Sequence, residues 1–215
     1  MRCFELVVFD WDGTLADSTG VIVTSLLNAF ADLALPVPAV ERARHVIGLG
    51  MADALAYMAP GLATSDYSRL ADRYRWHFLK QKTELYPGTE KLLRGLRDRG
   101  YRLAVATGKS KRGLERSLSE LALLQYFDGW RCADMCAPKP APDMLNELIE
   151  EFDVSAAGTL MIGDTTHDLQ MAANASVAAV AVCHGAHTRS VLEAMQPMAC
   201  VDSTAELATW LASNA

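Results

Sequence analysis

The sequence predicts an α/β fold, a doubly wound parallel sheet with an inserted block of α-helices. Three observations predict it. Short continuous apolar runs at residues 4–9, 101–107 and 159–163 end in Asp, Thr-Gly or Gly-Asp, as strands buried on both faces of a parallel sheet do. From about residue 84 to 215, strands near residues 101, 129, 159, 177 and 199 alternate with helical stretches. Between Asp17 and about Lys82 there is no strand-like alternation, only helical spacing broken at Pro36-Val37-Pro38 and Pro60-Gly61.

The first strand runs into Asp10-Trp11-Asp12-Gly13-Thr14. Ligands of such sheets gather at the carboxyl ends of the strands, so two carboxylates stand where a substrate would arrive. A carboxylate there can act as a nucleophile, which suits Asp10, and a second one beside it, Asp12, as a proton carrier. Gly13 and Thr14 fit a tight turn that offers N–H groups to an anion. An Asx-turn that merely ends a strand fits the same residues.

The helical block follows. Val21, Leu26, Leu27, Phe30 and Leu33 have roughly helical spacing and read as packing between helices. The stretch 41–50 carries Arg44 and His45 into a turn flanked by Gly48 and Gly50, which by itself reads as a solvated helix end with a Gly cap. Tyr74 and Trp76 read as packed aromatics, Lys80 and Lys82 as surface charges near the hinge.

The strand at 101–107 ends in Thr107-Gly108, a hydroxyl and a glycine suited to a phosphate oxygen. A helix is predicted from about Ser110 to Leu121, with Lys109, Lys111 and Arg112 on a solvated face. Pro138-Lys139-Pro140 holds one lysine between two prolines, a fixed point charge. The run at 159–163 ends in Asp164, and Asp168 follows four residues later on a helix start. Asp10, Asp164 and Asp168 supply the oxygen ligands that Mg²⁺ takes. His167, between them, reads as exposed. His184 and His187 read as loop residues, with no further nitrogen or sulfur ligands for zinc evident.

On these four motifs, Asp10-Trp11-Asp12-Gly13-Thr14, Thr107-Gly108, Lys139 and Gly163-Asp164-Thr165-Thr166-His167-Asp168, the chain resembles the haloacid dehalogenase superfamily of phosphatases over essentially its whole length. It is most similar to the capped phosphoglycolate phosphatase group. The resemblance implies a Rossmann-like core at 1–15 and 84–215 and a helical cap at 16–83. It implies a phosphomonoesterase in which the substrate phosphorylates Asp10 and Asp12 protonates the leaving alkoxide, then activates water. Thr107, Gly108 and Lys139 would hold the phosphoryl group, and the turn after Arg44 and His45 would face the catalytic site, so that these two contact the leaving group. Mg²⁺ would sit on the Asp10 side chain, the Asp12 backbone carbonyl and Asp164, with Asp168 bound directly or through water. The dehalogenases lack the second carboxylate, so Asp12 favours phosphate over halide chemistry. A β-phosphoglucomutase-type transfer and a pyrophosphatase or nucleotidase are compatible with the same motifs. A non-catalytic phosphate-binding regulatory module would have no use for Asp12.

At 215 residues and 51% hydrophobic, the chain is long enough to bury a substantial core. Its net charge of −6 carries no basic stripe for nucleic acid, and no segment reaches the length of a membrane span. Five widely spread cysteines, Cys3, Cys132, Cys136, Cys183 and Cys200, together with no signal-peptide pattern, point to a reducing cytoplasmic compartment. The expected partner is a small phosphorylated metabolite, for a monomer or dimer.

Overall fold

The computed structural model describes residues 4–215, so Cys3 lies outside the described residues. In chain order the elements are β1 (Leu6–Phe9), β2 (Ala16–Asp17), α1 (Thr19–Asp32), α2 (Val40–His45), α3 (Met51–Met58), α4 (Thr64–Phe78) and β3 (Glu84–Leu85). There follow α5 (Thr89–Asp98), β4 (Arg102–Thr107), α6 (Lys111–Glu120), β5 (Gly129–Cys132), α7 (Asp143–Glu151) and β6 (Thr159–Gly163). The chain closes with α8 (Thr166–Asn174), β7 (Ala178–Val182), α9 (Arg189–Glu193), β8 (Ala199–Val201) and α10 (Thr204–Asn214).

Six strands form one parallel sheet in the order β5-β4-β1-β6-β7-β8. Alternation along β1 divides the core. Val7 and Phe9 join Leu93 and Leu96 of α5, Leu114 of α6 and Leu211 of α10 on one face. Leu6 and Val8 join Leu145 of α7 and Met161 and Met171 on the other, as a period of two requires. From β1 the chain moves outward to β4 and β5, then returns to β6 on the opposite side. The carboxyl ends of β1 and β6 therefore flank a switch point, where the sheet opens a crevice.

Helices α1 to α4 enclose an apolar cluster that includes Leu26, Phe30, Leu55 and Leu70, which Ala186 of the loop after β7 joins. Antiparallel pairing of β2 with β3 brings both ends of this block together. These two-residue strands were not predicted, because two residues carry no periodicity. Among the described residues no helix is long and apolar enough to cross a membrane, and Cys132, Cys136, Cys183 and Cys200 form no disulfide.

Candidate active site

Asp10 follows β1 and is completely buried. Lys139 Nζ lies 2.8 Å from Asp10 Oδ1, yet neither Asp10 oxygen has a hydrogen bond of proper geometry among the described residues. Polar atoms so enclosed are normally paired. Asp164, after β6, accepts from Thr14 Oγ1 (2.7 Å) and from Ala186 N–H (2.7 Å). Asp168 belongs to a capping box at the start of α8, its Oδ2 accepting from Thr165 N–H (3.0 Å) and Thr165 Oγ1 (2.7 Å). Its Oδ1 accepts from Lys139 (2.6 Å). Asp168 thus anchors the lysine, and Asp10 keeps the open lone pairs.

Oxygens of Asp10, Asp164 and Asp168 lie within 4.8 Å of one another, all three residues buried. Burial pushes the Asp10 carboxyl up to about 7 against the pull of Lys139, and the charges of Asp168 and Asp12 add to the push. Burial, then the charges of Asp10 and Asp168, push Asp164 well above the usual carboxylate range. Burial works to lower the Lys139 ammonium, but the charges of Asp10 and Asp168 prevail and raise it. Three carboxylates clustered beside one lysine, which pairs with Asp10 and Asp168, are hard oxygen donors that fit a divalent cation. Three glycines make room for the carboxylates. A Cβ at Gly13 or Gly185 would overlap the Asp164 side chain, and one at Gly163 would overlap Asp168.

Asp12 is held from two sides. Ser18 Oγ donates to its Oδ1 (2.7 Å), and Lys109 Nζ lies 3.1 Å from both of its oxygens. Lys109 therefore belongs to the site and not to a solvated helix face. It precedes Ser110, the residue that caps α6 with a bond from Gly113 N–H, so it lies in the strand-to-helix turn beside Thr107. That position was the sequence signal for it. The Lys109 N–H also donates to Thr107 Oγ1 (3.2 Å), leaving the buried hydroxyl its own hydrogen to give. At Gly108 a Cβ would run into the carbonyl oxygens of Gly48 and Leu49, so the turn after α2 sits directly on the turn after β4.

Arg44 and His45 are not among the residues that line the cleft. Arg44 donates to the carbonyls of Gly185 (3.2 Å) and Ala186 (3.3 Å). The His45 carbonyl lies 2.7 Å from His167 Nε2 and 3.3 Å from His187 Nε2. Ring nitrogens of His45, His167 and His187 come within 4.8 Å of one another, a clustering invisible in sequence because positions 45, 167 and 187 are far apart. Their lone pairs do not converge on a metal. Thr166 N–H donates to His187 Nδ1 (3.0 Å), which leaves the proton of the neutral ring on Nε2, facing the His45 carbonyl. The trio is a clasp between α2 and the core, and His167 is half-buried in it.

Above the carboxylates a cleft of about 1080 Å³ extends between the sheet and the helical block. Ile22, Leu26, Val46, Tyr74 and Phe78 wall it, and Lys80, Lys82 and Arg112 stand at its exposed rim. Trp76 is exposed, stacked under Lys80, and not packed as expected.

The chain matches the family model described as haloacid dehalogenase-like hydrolase over residues 7–182. It is 37% identical over 209 residues to "Probable phosphatase IndB" of Dickeya dadantii, covering 94% of this chain and 91% of that protein. It is 30% identical over 223 residues to a phosphoglycolate phosphatase of Vibrio parahaemolyticus, covering 98% and 97%. The crystal structure of a hydrolase from Pseudomonas syringae shares the fold with a TM-score of 0.89 over 97% of this chain and 98% of that one, at 22% identity.

Proposed function

Because the chain belongs to the haloacid dehalogenase-like hydrolase family, we propose that it is a Mg²⁺-dependent phosphomonoesterase working through an aspartyl phosphate on Asp10. The observation that carries the reading is the Asp10 carboxylate, fully buried at a strand end with both oxygens lacking hydrogen bonds and a buried lysine 2.8 Å away. The names of the two curated relatives support the reaction class.

Asp10 attacks phosphorus, the bond to the ester oxygen breaks, and the protonated Asp12 gives its proton to the departing alkoxide. Asp12, now a carboxylate, takes a proton from water, whose oxygen attacks phosphorus and returns Asp10. In the free protein Lys109 Nζ lies 3.1 Å from Asp12, where an incoming phosphoryl oxygen would compete for that ammonium. Thr107 Oγ1 donates to a phosphoryl oxygen, and Lys139 adds fixed positive charge beside it. Asp10, Asp164 and the Asp12 backbone carbonyl would hold Mg²⁺, with Asp168 outside them on Lys139. When bound, the ion neutralises the phosphoryl charge beside Asp10. The helical block, residues 16–83, serves as the cap that selects the leaving group, since the core residues meet only the phosphate.

Phosphate release from a panel of phosphate esters, with Mg²⁺ and with a chelator, tests the proposal. Release that needs both Mg²⁺ and Asp10 is expected. Release of equal rate from the Asp10→Asn protein would overturn it.

A further inference from the structure

The two-carbon acid named for one of the relatives is a poor match to the space above Asp10. The cleft is about 1080 Å³ and runs out along α6 as far as Leu121, above the roughly 300–1,000 Å³ usual for small-molecule sites. This room is not a gap left by a raised helical block. The block is already seated on the core. Arg44 reaches the Gly185 and Ala186 carbonyls, His167 holds the His45 carbonyl at 2.7 Å, and Gly48 and Leu49 press on Gly108.

The wall nearest the proton carrier is aromatic. Lys109 Nζ, 3.1 Å from the Asp12 carboxylate, lies 4.6 Å from the centroid of the Phe78 ring. Phe78 and Tyr74, one helical turn apart on α4, have centroids 5.8 Å apart at 35°. Ile22 and Leu26 of α1 line the same cleft. The further cations that line the cleft, Lys80, Lys82 and Arg112, stand at exposed positions, and Lys109 is already held on Asp12. Arg44 is spent on backbone carbonyls, Arg75 pairs with Asp72 (2.7 Å), and Arg116 pairs with Glu120 (2.7 Å).

We infer that the leaving group is a ring-bearing alcohol, aryl or nucleoside in size, whose ring lies against Phe78 and Tyr74 while its ester oxygen faces Asp12. The inference rests on the phosphatase reading and narrows its substrate class. A flat ring gains stacking and apolar burial on this wall, and a short carboxylic acid gains neither.

The test compares kcat/KM for 1-naphthyl phosphate and nucleoside 5′-monophosphates with that for 2-phosphoglycolate, in wild type, Phe78→Leu and Phe78→Tyr. Ring-bearing esters are expected to exceed 2-phosphoglycolate by about tenfold or more, and Phe78→Leu to shrink that ratio by about tenfold through KM, with Phe78→Tyr restoring it. A ratio favouring 2-phosphoglycolate, or one unmoved by Phe78→Leu, overturns the inference. Binding of the same esters to the Asp10→Asn protein, by calorimetry, separates the two readings. Preferential binding of ring-bearing esters without any turnover in wild type upholds the cleft and rejects the phosphatase. Turnover with no preference for ring-bearing esters in either assay does the reverse.

Discussion

Asp10 differs from its neighbours in meeting only the Lys139 ammonium, at 2.8 Å from Oδ1, among the described residues, whereas both oxygens of Asp164 and Asp168 accept hydrogen bonds. The glycines around these carboxylates are equally specific. Gly13 has φ +84°, and a Cβ there would overlap Asp164. Gly13→Ala is predicted to lower stability by about 1–2 kcal/mol for the left-handed backbone alone and to weaken Mg²⁺ binding at the proposed site, read by urea unfolding and by metal titration. His187 sets a pH dependence. Desolvation, with His167 beside it, pulls its imidazole down to about 4 from an ordinary 6.5. Between those values the unfolded chain binds the proton and the folded chain does not, so stability falls as pH drops through this window. His187→Gln is predicted to flatten that fall, measured as urea midpoints at about pH 7 and about pH 5. At this scale the strand-end aspartates, Thr107 and Lys139 were legible because each sits at a run's end or between prolines. Lys109 was read as helix face although the predicted helix began only at Ser110, because its contact with Asp12 joins residues 97 positions apart. The imidazole clasp had no local signal at all.

Among the elements, α2 does the work of joining the helical block to the core. Six residues make a marginal helix by themselves, and its last turn is held from outside through Arg44 and the His45 carbonyl. The same turn lays Gly48 and Leu49 on Gly108. Arg44→Leu removes charge-assisted hydrogen bonds worth about 1.5–3 kcal/mol each and is predicted to speed amide exchange across residues 46–50 by at least about tenfold. Unchanged exchange would mean that the imidazoles alone hold the turn. Strands and helices of the sheet were readable from apolar runs and helical spacing, and the predicted helix at 110–121 corresponds to α6. Neither β2 nor β3 was readable, because their pairing depends on the helical block bringing distant residues together.

For the molecule as a whole, parallel order and the switch point beside β1 follow from the alternation of buried runs with helices, which is why the fold class was evident in the sequence. The helices of the block share an apolar cluster, and this gives a stability prediction. Leu70, fully buried among α1 to α4, is expected to cost about 2–5 kcal/mol on truncation to Ala. If the block folds as a unit, Leu70→Ala lowers an early melting step and leaves the sheet's step in place; a single transition shifted as one would show the two parts to be one cooperative body. The size and apolar wall of the cleft were not legible in sequence, since they depend on which faces of α1 and α4 turn toward Asp12. The central claim is that Asp10 becomes phosphorylated, and rapid quenching with a ³²P-labelled substrate ester tests it most directly. The account predicts an acid-stable, hydroxylamine-labile label at Asp10, absent from Asp10→Asn and longer-lived in Asp12→Asn. A label on another residue, or phosphate release at the wild-type rate from Asp10→Asn, would contradict it.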